Sequence, residues 1–219
     1  MKQIVIFGAG EIAQLAHFYF SKEQRFEVCA FSVDDAYLET KEFCGLPVVP
    51  RSALASTFPP ERYSAFVAMS YAGMNRVREE KYLELKKLGY QMVSYVSPDC
   101  TRLTDEIGEN CFILEDNTLQ PFSRIGNNVT LWSGNHIGHH AQIGDNSFIT
   151  SHVVISGGVK IGKNTFIGVN ATLRDHITVG ESTMIGAGAI LIKDTLPKQV
   201  YRAPRSECMA ITSDEIKKI

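Results

Sequence analysis

Starting at Ile107, an aliphatic residue returns at every sixth position for ninety residues: Ile107, Ile113, Leu119, Ile125, Leu131, Ile137, Ile143, Ile149, Ile155, Ile161, Ile167, Leu173, Val179, Ile185 and Leu191. A period of six fits neither a helix, at about 3.6, nor a plain strand, at about 2. It fits a chain that turns a corner after each short strand, so that one inward residue per hexad fills a central core. Three sides make a coil of eighteen residues, and the fifteen hexads make five coils. Such coils stack as parallel strands about 4.8 Å apart. Eight of the fifteen positions after the aliphatic are Gly (Gly108, Gly126, Gly138, Gly144, Gly162, Gly168, Gly180 and Gly186), read as easing the bend at each corner. The fifth place is mostly small, as at Ala141, Ser147, Val153, Thr165, Ala171 and Ala189.

A fixed period of this kind marks a solenoid, here a left-handed parallel β-helix of hexapeptide repeats. The ends of a repeat stack need caps. The segment before Ile107 and the tail after Leu196 are expected to supply them. Flat prism faces favour side-by-side packing, and three-sided prisms pack as a cyclic trimer.

The chain of 219 residues has room for two modest domains. The expected division is a small α/β Rossmann-like domain over residues 1–100, followed by the β-helix and its tail over 101–219. KQIVIF reads as a buried strand, GAGEIA as a turn, and Glu11 to Ser21 as an amphipathic helix. FEVCAFSVDD reads as a second strand ending at Asp34 and Asp35, and YSAFVAMS as a third. Asn75 to Leu88 reads as a helix capped by Gly89, and QMVSYV as a further strand of the same sheet. This order builds a doubly wound parallel sheet. Its turn, with Gly8 and Gly10, matches a phosphate-binding pattern in which Ala replaces the third Gly. Backbone N–H groups and the helix N-terminus there suit a diphosphate. Asp34 and Asp35 then lie where a ribose or base would sit. Glu11, at the opening of that helix, is a charge that would repel a phosphate.

A formal charge of −2 leaves no basic footprint for nucleic acid. The five cysteines include no C-x-x-C pair and read as free thiols. The first residues lack the long apolar region of a signal peptide, and no run approaches a membrane span. The expectation is a cytoplasmic protein that meets neither membrane nor nucleic acid.

Five of the six histidines fall in the repeats. The run SGNHIGHHAQIG holds His136, His139 and His140 at the sixth, third and fourth places of their hexads. Those are not the inward corner places, so the rings point outward or into a groove between subunits. Groups that titrate near neutral pH in a groove suit general-base work. A solvated polar face accounts for at least one of the three. Gly157, in the run Ser156–Gly157–Gly158, follows His139 by eighteen residues, one coil, and should stack on it. A base beside a free backbone N–H suits acyl transfer: the imidazole takes a proton from the attacking group, and the N–H donates to the thioester oxygen.

With GAGEIA and Asp34–Asp35 in front, and IGHHAQIG, SGGVKIGKNTFIGVNATL and STMIGAGAILIKD behind, the whole chain resembles the hexapeptide-repeat sugar acyltransferases with an N-terminal Rossmann-like domain. These are sialic acid O-acetyltransferase-like proteins and bacterial N-acetyltransferases of nucleotide-linked amino sugars. The resemblance implies a homotrimer with active sites between prisms, acetyl-CoA along the groove, and a nucleotide-linked sugar held by the N-terminal domain. It places the catalytic base at His139, with His140 beside it, and the thioester-binding amide at Gly157. Val169 and Ala187 would line the pantetheine arm, Arg202 and Arg205 would meet CoA phosphates, and Asn135 and His136 would contact substrate. No resident metal is expected. Where the family carries a Glu after its histidine, this chain has His140; where it carries another His nine residues on, this chain has Phe148, with His152 near.

The leading expectation is an acetyl-CoA-dependent N-acetyltransferase of a nucleotide-linked amino sugar in bacterial surface glycan synthesis. A sugar O-acetyltransferase stands beside it. A zinc enzyme resembling carbonic anhydrase is a third reading: His140 and His176 are thirty-six residues apart, two coils, and Glu181 stands where a third histidine would complete the set. A non-catalytic scaffold or sugar-nucleotide sensor is the fourth.

Overall fold

Residues after Tyr95 wind into three parallel sheets of seven, six and four strands that form the sides of a prism. The structure, a computed structural model, describes residues 1–215. Positions 216–219, the end of the expected second domain, lie outside the described residues. The first face runs from Tyr95–Val96 through Phe112–Ile113, Thr130–Leu131, Phe148–Ile149 and Phe166–Ile167 to Met184–Ile185 and Val200–Tyr201. The second runs from Thr101–Arg102 through Thr118–Leu119, His136–Ile137, Val154–Ile155 and Thr172–Leu173 to Ile190–Leu191. The third holds Arg124–Ile125, Gln142–Ile143, Lys160–Ile161 and Thr178–Val179. In the regular part, strands pair in a register of eighteen, as His136 does with Val154. This is the left-handed hexapeptide β-helix that the repeat predicts.

Two details of the repeat differ from its sequence reading. Each hexad turns two side chains inward rather than one. The fifth place is as buried as the aliphatic: Ala141, Ser147, Val153 and Thr165 are all 0% exposed. The small residues there leave room for the branched ones. The bend, moreover, sits at the fourth place, where φ is positive at Asn128, His140, Asn146, His152 and Asn164. Asn tolerates that left-handed backbone. Glycine at the second place answers crowding instead: a Cβ on Gly138 would lie 2.6 Å from the backbone nitrogen of Gly157 in the next coil.

The asparagines also bond along the prism axis. Asn110 Nδ2 donates to Asn128 Oδ1, and Asn128 Nδ2 to Asn146 Oδ1, each at 2.8 Å. All three are at most 5% exposed, so the ladder satisfies polar groups that would otherwise be costly to bury.

The N-terminal domain has strands β1 (Lys2–Phe7), β2 (Phe26–Val33), β3 (Glu42–Phe43), β4 (Leu46–Pro50) and β5 (Ser64–Val67), in the order β3-β4-β2-β1-β5. All pairs are parallel except β3–β4. Helix α1 (Glu11–Lys22) buries Ala13, Ala16 and Phe20. Helix α2 is the single turn Leu54–Thr57. Helix α3 (Arg76–Lys87) buries Arg78, Tyr82 and Leu85. The central strands are buried runs because both faces are covered. QMVSYV does not join this sheet as a strand. Only Met92 bridges to Ala65, and Tyr95–Val96 opens the prism. The coil there is one residue short, since Tyr95 pairs with Phe112, seventeen positions on. That break in period hides the first prism strands from a search for hexads.

The domain docks on the lower rungs of the first face, burying Tyr95, Phe112 and Phe148. Arg78 enters this seam fully buried. Its Nη1 donates to Thr130 Oγ1 at 2.7 Å and its Nη2 to the Asn146 carbonyl at 2.8 Å, and its guanidinium lies 5.5 Å from the Phe148 ring centre. Burial pushes its pKa down to about 10. Asn75 Nδ2 donates to the Thr165 carbonyl, and Asn164 Nδ2 to Glu79. Two prism carboxylates complete the seam: Glu109 accepts from Tyr82 and Lys86, and Glu115 accepts from Tyr19 at 2.9 Å and Ser133 at 2.7 Å. Among the described residues no helix is long and apolar enough to cross a membrane.

Burial alone would raise Glu109 and Glu115, but the hydrogen bonds they accept outweigh it and hold both below the usual carboxylate range. A depressed folded-state pKa contributes stability above the unfolded value, and that stability is lost as pH falls through the folded one. The melting temperature is therefore expected to drop between neutral pH and about pH 4. In a Glu109→Gln, Glu115→Gln double variant the drop should be smaller, as read by circular dichroism at both pH values.

Candidate active site

At the corner between the second and third faces the chain runs Gly138–His139–His140–Ala141. The Ala141 N–H donates to the Gly138 carbonyl at 3.1 Å, closing a turn. His140 takes the left-handed place at φ 59, as the third residue of a type II turn must. His139 is thereby turned outward and upward along the corner. Its Nε2 and Cε1 each lie 2.6 Å from the point where a Cβ on Gly157 would be. The missing side chain of Gly157 is thus the seat of the imidazole. The coil above is held in place by the Gly158 N–H, which donates to the His139 carbonyl at 2.8 Å. The His139 N–H donates to Gln120 Oε1 at 2.8 Å. Nδ1 of His139 stands 3.1 Å from Nδ1 of His140. Among the described residues the Gly157 N–H has no acceptor. An imidazole nitrogen and a free amide therefore converge at an exposed corner.

The other expected site residues are distributed as follows. His136 is half-buried on the second face, beside the same corner. Asn135 is turned into the prism: it is 1% exposed, its Nδ2 donates to the Trp132 carbonyl, and its Oδ1 accepts from the Val153 N–H at 2.8 Å. The fifth place of its hexad points inward, which excludes it from any groove. Val169 and Ala187 are exposed at the corner between the first and second faces, the opposite edge of the second face from His139. Arg202 follows the last prism strand, and Arg205 is exposed in the tail. His140 and His176 share a corner, yet Gly158 lies between them, two coil rises of about 4.8 Å each. Glu181 sits at another corner, 3.7 Å from Lys163. No three His, Cys, Asp or Glu side chains among the described residues come together as a metal site would require.

A second concavity, of about 580 Å³, opens at the carboxyl ends of β1, β2 and β5. Gly8, Gly10, Glu11 and Asp34 line it, with Tyr37, Met69 and Ser70. Ligand sites of open α/β sheets lie at these strand ends. Gly8 has φ 122, and a Cβ there would stand 2.5 Å from the Ala68 carbonyl oxygen. Gly10 precedes α1, whose first residues Glu11 and Ile12 also line the cavity. Asp34 is fixed by Lys81 at 2.7 Å. Burial alone would lower Lys81, but Asp34 and Glu84 outweigh it and raise its pKa. Asp35 is not part of this cavity. It opens a short 3-10 turn and accepts from the Ser52 N–H at 3.0 Å, and bonding to Ser52 lowers its pKa. Sequence reasoning missed Lys81, Tyr37 and the Met69–Ser70 segment. The last was within reach, since it ends the third strand.

A hexapeptide prism carrying a docked α/β domain, with a concavity at the carboxyl ends of the domain's strands and a histidine seated on a glycine at a prism corner, defines the class. Residues 3–85 match the family model described as the PglD N-terminal domain, and residues 122–157 and 158–193 match that of the bacterial transferase hexapeptide with six repeats. The acetyltransferase domain of PglB from Neisseria gonorrhoeae FA1090 is 22% identical, with TM-score 0.80 over 91% of this chain and 96% of that one. PerB from Caulobacter crescentus, solved with CoA and GDP-perosamine, is 24% identical, with TM-score 0.79 over 91% and 93%. WeeI from Acinetobacter baumannii AYE is 22% identical, with TM-score 0.77 over 91% and 96%. At these identities the likeness is one of fold. No curated protein sequence matches the chain.

The two corner glycines are expected to respond differently to a methyl group. In Gly157→Ala the methyl meets a side-chain ring that can swing away, so the His139 imidazole NMR signals should shift while the melting temperature falls little. In Gly138→Ala it meets main chain of the next coil, so the melting temperature should fall clearly further. Equal melting losses would contradict this geometry.

Proposed function

We propose that the protein transfers an acetyl group from acetyl-CoA to the amine of a nucleotide-linked amino sugar, in the cytoplasm and in the service of bacterial surface glycan synthesis. The observation that carries this reading is His139 seated against Gly157, whose N–H is free. The domain cavity, with a glycine turn and a helix N-terminus, suits the nucleotide diphosphate. The fold neighbours add support: the PglB domain was solved with acetyl coenzyme A, and PerB with CoA and GDP-perosamine.

In this mechanism the amine nitrogen attacks the thioester carbon while the Gly157 N–H donates to the developing oxyanion. The C–N bond forms, the C–S bond breaks, and His139 Nε2 accepts the proton lost from the amine. That proton passes to the departing thiolate, leaving free CoA thiol and an amide. Val169 and Ala187 line the pantetheine arm and Arg205 meets a CoA phosphate. His136 contacts the sugar beside His139, and Gly8, Gly10 and Asp34 hold the nucleotide.

The distribution of these groups favours a homotrimer. The domain covers the lower rungs of the first face, whereas His139 lies at the corner that does not border that face. Val169 and Ala187 lie on the opposite edge of the second face from His139. A cyclic arrangement of prisms lets one prism's edge meet its neighbour's and completes the site between them.

The test is thiol release from acetyl-CoA with a panel of uridine, guanosine and thymidine diphosphate amino sugars and their hydroxy counterparts. Turnover with an amino sugar is expected. Replacing His139 by Ala should lower kcat by about 10²–10⁴ with acetyl-CoA binding retained. Absence of thiol release with every acceptor would overturn the reading.

A further inference from the structure

The cavity of the N-terminal domain lies across three strand ends, and the sheet order β3-β4-β2-β1-β5 fixes which end lies where. In the middle, β1 leads into the glycine turn. On one flank β2 runs into Asp34, Tyr37 and Glu39; on the other β5 runs into Ala68, Met69 and Ser70. A nucleotide-linked sugar carries its diphosphate between two dissimilar ends. With the diphosphate over the turn and the nucleoside at Asp34, the sugar is left on the β5 flank.

There the chain leaves the cavity wall at Ser70 and returns to it at Val77. Residues 71–76 form the side of the cavity that meets the prism, and their backbone is unusual. Gly73, Met74 and Asn75 are consecutive left-handed residues, at φ 59, 56 and 65. That region is sparsely populated and costly for Met, and Asn75 holds the loop in it. Asn75 is fully buried: its N–H donates to the Tyr71 carbonyl at 3.1 Å, its Nδ2 donates to the Thr165 carbonyl at 3.2 Å, and its Oδ1 accepts from Arg78 at 3.3 Å. These bonds tie the loop to the prism and set the position of Tyr71.

The Tyr71 ring rests on two prism rings, with centroids 5.2 Å from Phe148 and 4.7 Å from Phe166. Phe148 is buried and Phe166 half-buried, yet Tyr71 stays 51% exposed. Covering the seam alone would not leave half of that side chain bare. A ring braced from beneath and anchored through its own main chain offers a fixed apolar face beside the β5 flank. Such a face suits a pyranose, whose C–H groups carry the positive charge that the negative face of an aromatic ring attracts. We propose that Tyr71 is the platform on which the sugar ring of the nucleotide-linked substrate stacks. The assignment rests on the nucleotide-sugar reading of the cavity, and it adds a contact made by the sugar end alone.

The test is calorimetric titration of the full chain with UDP, GDP and dTDP, and with the amino sugars linked to each, in native, Tyr71→Phe and Tyr71→Ala protein. Native protein should bind one sugar nucleotide more tightly than the matching free diphosphate. Tyr71→Ala should weaken that sugar nucleotide about tenfold, while the free diphosphate and acetyl-CoA bind as before. Tyr71→Phe keeps the ring and should bind as the native protein does. In steady-state transfer the loss should fall on KM for the sugar nucleotide and not on KM for acetyl-CoA. A melting curve checks that Tyr71→Ala is folded; if it is not, Tyr71→Leu, which keeps apolar cover over Phe148 and Phe166 without an aromatic face, takes its place. No loss, an equal loss for the free diphosphate, or equal losses in the Phe and Ala variants overturns the platform alone. If native protein binds no sugar nucleotide of the panel, the nucleotide-sugar reading falls and the platform falls with it.

Discussion

In the regular part of the prism each residue rests on the one eighteen positions before it, and the remaining features depend on that rise. The register puts identical amides in contact along Asn110, Asn128 and Asn146. It places a histidine ring on a glycine at one corner. It leaves no space for a side chain where one coil passes over another, which is why the second place of so many hexads is Gly. A solenoid of this kind makes geometry repeat at a fixed interval, so a change of residue type from one coil to the next becomes a change of chemistry at a fixed spot. Phe122, His140, Gly158 and His176 occupy one corner position in successive coils, yet they provide a stacking surface, an imidazole beside His139, a gap and an exposed ring.

The seam between the domains is built on a different principle. Arg78 is a cation buried without a carboxylate beside it, compensated by two main-chain carbonyls, a hydroxyl, an amide oxygen and an aromatic face. Burial of a charge is costly unless every donor is placed, and its Nε remains without a partner. Such a contact contributes less to stability than an apolar patch of its size, but it tolerates little displacement. Together with Glu109 and Glu115 it fixes α1 and α3 against the first face, and hence fixes where the domain cavity opens relative to the prism edges.

The prism was legible in the sequence because its period is uniform and the first place of every hexad is aliphatic. The places where reading failed are those where the period breaks or where a residue's role depends on distant parts of the chain. Tyr95–Val96 looked like a domain strand because its coil is one residue short. Asn135 looked available because it neighbours the histidines, but the fifth place faces inward, a rule visible only once the buried Ser147 and Thr165 are seen beside the buried alanines. Asp35 looked like a ribose ligand, yet it serves the turn at Ser52, whereas Asp34 lines the cavity. Arg78 and Lys81 gave no signal at all, since on an isolated helix they read as solvated charge.

The two concavities place opposite demands on the protein. The domain cavity is bordered by Glu11, Asp34 and Glu39, so a diphosphate bound there must rely on the backbone N–H groups of the glycine turn and the start of α1 rather than on a neutralising side chain. That arrangement favours a ligand whose far end is also held, because backbone dipoles alone offset only part of the carboxylate repulsion. At the prism corner the balance is reversed: His139 and His140 are exposed, no carboxylate touches them, and their geometry is set by the turn and by Phe122. Under the proposed transfer, an oxyanion at this corner would meet the Gly157 N–H with no carboxylate in contact with either ring among the described residues.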